Sequence, residues 1–129
     1  MDVRGGGAGT QLLFGSRNGT VAALLSTADG EVFTSKLITN AHASGSVGVA
    51  FGAGNTLWSK LGAQDLRLVT FDPATGAGVL TKTFAGFHGS TAPIGVDAAK
   101  GFLGMVQYGA AGAAQSVKVY DIRDPLAGL

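Results

Sequence analysis

Short apolar or alternating stretches, each ended by a turn signal, recur along the whole chain. Residues 66–71 (LRLVTF) alternate over their first positions and are rich in residues that favour strands. Pro73 and Gly76 follow at once, and both residue types are typical of turns. The central part of the chain therefore predicts four short strands, at residues 47–51, 56–61, 66–71 and 79–84.

The same arrangement is predicted on both sides of this central part. Towards the N-terminus, Asn18-Gly19 and Asp29-Gly30 are strong hairpin signals. They separate strands predicted at residues 12–16, 20–27 and 32–39. Towards the C-terminus, strands are predicted at residues 94–97, 102–108 and 116–122. The pattern then stops at residues 125–129, where a fourth strand is expected to begin, and no segment shows a sustained helical period.

The three groups of strands align as repeats when the chain is shifted against itself. A shift of 45 residues places residues 8–12 on 53–57, and shifts of 47 and 49 residues extend the match into the last third. Three units are predicted, covering residues 2–41, 42–89 and 90–129. Leu13, Trp58 and Met105 fall at the same position of this alignment, so we expect all three to be equivalent core residues.

Four antiparallel strands in 40 to 50 residues, repeated, are typical of β-propeller blades. The segments FGAGNTLW, VTFDPATG and VYDI, which begin at Phe51, Val69 and Val119, resemble blades of uncharacterised bacterial β-propellers. The resemblance covers nearly the whole chain and implies an all-β fold of three four-stranded blades, about half a propeller, with the last outer strand truncated. It also implies a secreted or periplasmic parent family. The first seven residues, MDVRGGG, lack the apolar core of a signal peptide, so none is predicted here.

Composition excludes several classes of function. The 129 residues carry 9 basic and 8 acidic side chains, so no basic stripe is available for nucleic acid. The absence of cysteine excludes disulfides, thiolate metal sites and cysteine catalysis. No apolar stretch approaches the roughly 20 residues of a spanning helix. We expect no nucleic acid, membrane, metal or cofactor as partner.

Three blades cannot close a ring, because closed propellers have about 4 to 8. An arc of three would leave an apolar sheet face uncovered at each end, and such faces promote association. The sequence therefore predicts a non-catalytic scaffold module that binds itself, as a homodimer with six blades. A trimer, with nine blades, is the alternative assembly. Residues 125–129 are expected near the junction between copies.

The alternative hypothesis is a ligand-binding propeller, or one resembling hydrolases or lactonases, with a site at the channel mouth. Its candidate residues are His42, His88 and Asp97. The two histidines follow the predicted fourth strands of the first two units, and two imidazoles on one rim could bind a ligand. The plainer interpretation makes both histidines solvated loop residues and Asp97 the start of a turn. Four other carboxylates are also predicted to be turn residues: Asp29, Asp72, Asp121 and Asp124.

Overall fold

The computed structural model describes residues 1–15, 22–41, 47–61, 65–87, 90–108 and 115–129. Within these residues the chain is all-β, with three antiparallel sheets and two 3₁₀ turns, at Gly7–Gly9 and Pro125–Ala127. The fold class predicted from the sequence is confirmed at this level.

Each sheet is a meander of strands that are consecutive in the chain. The first sheet contains β1 (Asp2–Arg4), β2 (Gln11–Gly15), β3 (Ala22–Thr27) and β4 (Phe33–Ile38). The second sheet contains β5 (Val47–Phe51), β6 (Thr56–Leu61), β7 (Leu66–Phe71) and β8 (Gly78–Phe84). The third sheet contains β9 (Ser90–Asp97), β10 (Phe102–Gln107) and β11 (Ser116–Asp121). The described part of the third sheet has three strands, whereas the other two sheets have four.

Most predicted strands lie where the alternation placed them, and β5, β6 and β7 have the predicted bounds. The strand without a sequence prediction is β1, which pairs antiparallel with β2. Its three residues precede a glycine-rich stretch and are too few to show an alternation. These residues form a strand because β2 supplies the partners for their backbone hydrogen bonds.

The second sheet lies between the other two, and its strands β6 and β7 are largely buried, whereas β8 is mostly exposed. On β6, Leu57 belongs to the core shared with the first sheet, whereas Trp58 belongs to the core shared with the third. The first core contains Leu13, Ala22, Leu24, Ile38, Ala41, Val49, Phe51, Leu57, Val69 and Phe71. The second contains Trp58, Leu66, Leu68, Phe84, Phe87, Leu103, Met105 and Ile122. Two apolar layers thus hold three sheets together.

The predicted equivalence of Met105 with Leu13 and Trp58 is wrong. Leu13 faces the sheet that follows it in the chain, as Trp58 does, but Met105 packs in the core shared with the preceding sheet. Phe51 pairs with Leu57 as Val96 pairs with Leu103, so Gly104 is the residue that corresponds to Trp58. Because side chains alternate between faces, this alignment error of one residue moved Met105 to the opposite face.

Two glycines allow the end of β4 to approach the start of β8 closely. A Cβ at Gly76 would collide with the carbonyl oxygen of Leu37, and one at Gly78 with that of Thr39. The backbone N–H of Thr39 donates to Gly76 O at 3.2 Å, and the Asn40 side chain donates to Gly78 O at 2.6 Å. These bonds join the outer strands of the first and second sheets.

The C-terminal segment packs against the second sheet of its own chain. The Lys82 ammonium group, on β8, donates to Leu126 O at 2.7 Å and reaches Pro125 O at 3.5 Å. Within one chain, the segment thus lies beside the outer strand of the preceding sheet. Its predicted position near a second copy stays a prediction.

Trp58 tests the importance of the second core. Its indole is 1% exposed, and its ring centroid lies 5.4 Å from that of Phe84. We expect Trp58→Ala to lower the free energy of unfolding by about 3–5 kcal/mol, because it leaves a large cavity between two sheets. Denaturant unfolding followed by circular dichroism measures this change. Val79→Ala, at an exposed strand position, is the control and should stay within about 0.5 kcal/mol of the wild type; equal effects of the two variants would contradict the assigned core.

Candidate functional site

Two of the three candidate ligand residues, His42 and His88, lie outside the described residues. The third, Asp97, is the last residue of β9 and is exposed. Its carboxylate accepts the backbone N–H of Lys100 at 3.0 Å and lies 3.6 Å from the Lys100 ammonium group. The backbone of Asp97 also accepts the Gly101 N–H. Asp97 thus organises the β9–β10 turn, and the channel-mouth site stays a hypothesis.

Two other predicted turn carboxylates also bind the backbone of their own turns. Asp29 accepts the N–H groups of Glu31 and Val32 at 2.8 and 2.9 Å. These bonds lower the pKa of Asp29. Asp72 accepts the N–H of Ala74 at 2.8 Å. The turn interpretation is confirmed for both, so their negative charge serves local structure.

Arg4 fills one end of the groove between the first and second sheets. Its guanidinium carbon lies 4.3 Å from the ring centroid of Phe51 and 5.7 Å from that of Phe71. Arg4 also donates to Gln11 Oε1 at 2.6 Å and to the carbonyl oxygen of Gly54 in the β5–β6 turn. Partial burial lowers the pKa of Arg4, while the charge of Asp2 opposes that change. The side chain therefore combines cation–π contacts with hydrogen bonds across the junction.

Asp2 makes a second bond across the same junction. Its Oδ2 accepts the backbone N–H of Phe51 at 2.7 Å. Strand β1 thus fastens the first sheet to the second through both of its charged residues. The sequence analysis gave no role to either residue, because three residues before a glycine-rich stretch carry no recognisable motif.

The corresponding end of the groove between the second and third sheets is a cavity. Its volume is about 290 Å³. The second sheet contributes Trp58 and Leu68 to its lining, and the third contributes Ile122 and Arg123. The lining is completed by Ala53 of the β5–β6 connection, Thr56 at the start of β6, Ala98, Ala99 and Gly101 of the β9–β10 turn, and Pro125. The sequence analysis treated Trp58 only as core, because a cavity at a sheet junction depends on three-dimensional register.

Arg123 is held at this cavity by an ion pair with Asp121. Its Nε donates to the two carboxylate oxygens of Asp121 at 2.9 and 3.0 Å, and its Nη2 also donates to Oδ2. This pairing lowers the pKa of Asp121 to about 2 and raises that of Arg123. Both groups are therefore charged at neutral pH. Asp121 was predicted from the sequence as a turn residue, and the place of its ion pair beside a cavity depends on how the sheets pack.

Lys60 is an unexpected buried cation on β6. Its side chain has no exposed surface, and its ammonium group donates to Leu61 O at 2.7 Å. Burial lowers the pKa of Lys60, and the charge of Asp65 opposes that change. Lys60 does not line the cavity beside Trp58, and its bonding is consistent with a structural role.

The outer faces of the two terminal sheets carry exposed or half-buried apolar side chains that no other described element covers. On the third sheet, the exposed outer face contains Phe102, Val117 and Val119, with Gly95 and Gly104 between the larger side chains. On the first sheet, the outer face contains Val3, Leu12, Phe14, Ala23, Leu25, Phe33 and Leu37, all half-buried or exposed. Phe14 and Phe33 are thus half-buried and Phe102 is exposed. Phe87, by contrast, is buried and lies 5.2 Å from Tyr120, centroid to centroid.

The described residues were also compared with the requirements of a metal site and of a membrane-spanning helix, and they meet neither. Over residues 1–15, 22–41, 47–61, 65–87, 90–108 and 115–129, no group of three or more His, Cys, Asp or Glu side chains could hold a metal ion. The same ranges contain no helix with the length and apolar character to cross a membrane. Comparison with protein-family models, curated proteins and solved structures gave no match.

The Asp121–Arg123 pair predicts a specific pH dependence. Because the folded-state pKa of Asp121 is about 2, below the ordinary 3.8, the pair is complete above the ordinary value and is lost as the pH falls towards 2. A carbon NMR titration of the side-chain carboxyl measures this pKa. Arg123→Gln should raise it towards 3.8, while Asp29, whose pKa depends on backbone N–H groups, serves as the unchanged control. A wild-type midpoint near 3.8 would contradict the pairing.

The histidine hypothesis is tested by substitution and metal analysis. We expect His42→Ala and His88→Ala to leave the fold and the metal content of the purified protein unchanged, as loop residues without a ligand would. Elemental analysis of both variants and the wild type measures this. A stoichiometric metal in the wild type that either variant loses would favour the channel-mouth hypothesis instead.

Proposed function

We propose that this protein is a non-catalytic scaffold module, half of a β-propeller, which binds a second copy of itself to complete a ring of six sheets. The observation that carries the proposal is the pair of uncovered apolar faces at the two ends of the stack. One belongs to the first sheet and the other to the third, so a second copy can cover both at once.

The chain already uses the required contact twice. The first sheet packs on the second, and the second packs on the third, through apolar side chains of facing strands. A third sheet against the first sheet of another copy would repeat that contact between molecules. This is a head-to-tail interface, which must either close into a ring or continue as a filament. Two copies give six sheets, within the range of about 4 to 8 for closed propellers.

The two outer faces differ in a way that favours pairing with each other. The third sheet presents a shallow apolar depression of about 480 Å³, with Gly95 and Gly104 among its lining residues and Val106 and Val117 beside them. The first sheet presents larger side chains, including Phe14 and Leu37. A bulky face against one with two glycines allows closer packing than either face against its own copy.

The exposed edge of the third sheet also favours a second copy of the chain as the partner. Strand β11 pairs with β10 on one side, and among the described residues it has no strand partner on the other. Three of its six residues are apolar or aromatic, and nearly the whole strand is exposed. An exposed edge of this kind readily takes up another chain. A second copy seated on the adjoining face would shield this edge from other partners.

Substitution at the third sheet tests the proposal. The wild type should sediment at twice the chain mass of 12.8 kDa at micromolar concentration. Val119→Asp should give monomers, because it places a charge in the apolar contact. Val79→Asp is the matched control, since Val79 and Val119 are both 65% exposed strand valines, but Val79 lies on the second sheet. Analytical ultracentrifugation separates the species, and a monomeric wild type would overturn the proposal.

Substitution at the first sheet separates the head-to-tail contact from a symmetric one. Leu37→Asp should also give monomers if the third sheet of one copy covers the first sheet of the other. If two third sheets paired face to face, Leu37→Asp would remain a dimer. That second result would contradict the ring while retaining self-association.

A further inference from the structure

We propose that the cavity between the second and third sheets binds a small molecule made of one planar apolar ring and a carboxylate, with Arg123 as the residue that recognises the anion. The cavity lies within one chain, so this inference is independent of the proposed self-association. Four observations support it: the space that no side chain fills, its shape, its charge, and an N–H donor group of Arg123 that Asp121 does not use.

The unfilled space is seen when the junction of the second and third sheets is compared with that of the first and second. Arg4 pairs with Gln11 at the start of β2, and Gly52 donates to Thr56 at the start of β6, so Gly52 is the counterpart of Arg4. In the first junction, the Arg4 side chain fills the end of the groove. In the second, Gly52 has no side chain, Thr56 and Trp58 lie against its Cα, and a cavity of about 290 Å³ is lined by these two residues and the third sheet.

The groups around the unfilled space also differ between the junctions. The bond from Phe71 N to Asn55 O, at 2.9 Å, is equivalent to that from Ile122 N to Gly101 O, at 2.8 Å. In the first junction, Phe71 and the side-chain amide of Asn55 contact Arg4. Their counterparts in the second junction are Ile122 and Gly101. The second junction has lost the groups that would attract a guanidinium, and its wall is more apolar.

The shape of the cavity limits the size of its occupant. A volume of about 290 Å³ is at the lower end for ligand pockets, which begin near 300 Å³. Trp58 and Leu68 form one wall and Ile122 faces them from the next sheet. A slot between two stacked sheets admits a flat ring, and burial against an indole and aliphatic groups favours an apolar one.

The charge of the cavity selects an anion. Of its ten lining residues, the one with a formal charge is Arg123. Asp121 engages Nε and Nη2, while Nη1 makes no hydrogen bond to any residue in the described part of the chain. Nη1 therefore has two N–H groups available for a carboxylate, and Asp121 keeps the guanidinium in place. Gly101 supports this position, because a Cβ there would collide with the Arg123 side chain.

The single tryptophan of the chain provides the measurement. In a nitrogen–proton NMR spectrum, Trp58 gives one indole N–H signal, and it reports directly on the cavity. Benzoate is the probe, benzamide is its neutral counterpart, and benzamidine is its cationic counterpart. We expect a saturable shift with benzoate, a weaker affinity for benzamide and the weakest for benzamidine. No saturable shift with benzoate, or benzamidine affinity equal to or above that of benzoate, would overturn the proposal.

Two variants locate the binding. Arg123→Gln keeps the methylene groups that contact Gly101 and should lower benzoate affinity about tenfold, to the level of benzamide, because a charged hydrogen bond is lost. Ala99→Leu should fill the cavity and lower the affinity for benzoate and benzamide alike. Ala74→Leu, in the β7–β8 turn and outside the cavity, is the control and should bind as the wild type does. Unchanged benzoate affinity in Arg123→Gln and Ala99→Leu would overturn the assignment, and the second variant decides the matter if the first does not fold.

Discussion

The second sheet has to be covered on both faces, and the arrangement of the molecule follows from that requirement. Successive residues of β6 point to opposite sides, and both sides are apolar: Leu57 enters one core and Trp58 the other. A sheet with one polar face could be stable with a single neighbour, but this one exposes hydrophobic surface unless two sheets enclose it. The first and third sheets cover it, but their own outer faces then carry apolar side chains that no other sheet of the chain covers.

The two junctions solve the same packing problem by different local means. The first is fastened by polar contacts of β1 and by the close approach of β4 to β8, which Gly76 and Gly78 permit. The second relies on Trp58 and its aromatic neighbour Phe84, with Lys82 bonding the C-terminal segment. Hydrophobic burial alone does not choose between neighbours, because it lacks direction. The directional contacts of Arg4 and Lys82 supply that choice.

Sequence reasoning predicted most strands because alternation and turn residues are local signals. It failed where the information is not local. Strand β1 is too short for a pattern, and its pairing with β2 decides its structure. The third repeat was displaced by one residue, since a shift that aligns glycines does not fix which face Met105 occupies. The cavity beside Trp58 was equally hidden, because it depends on Gly52 standing where Arg4 stands in the first sheet. The roles of His42 and His88 stay predictions.

The difference between Arg4 and Gly52 makes the order of the sheets matter. If the first two sheets exchanged places, Arg4 would meet Val96 and Ile122, which offer no aromatic face for a guanidinium, and its charge would be buried against aliphatic groups. Phe51 and Phe71 would then lie on the outer face at the end of the stack, without the cation that covers them. The units share one strand plan yet are not interchangeable modules, so an array built by duplicating or shuffling them would need new residues at each boundary. In this chain, the residue at or just after the end of the first strand, Arg4 in one sheet and Gly52 in the next, decides which neighbour each sheet fits.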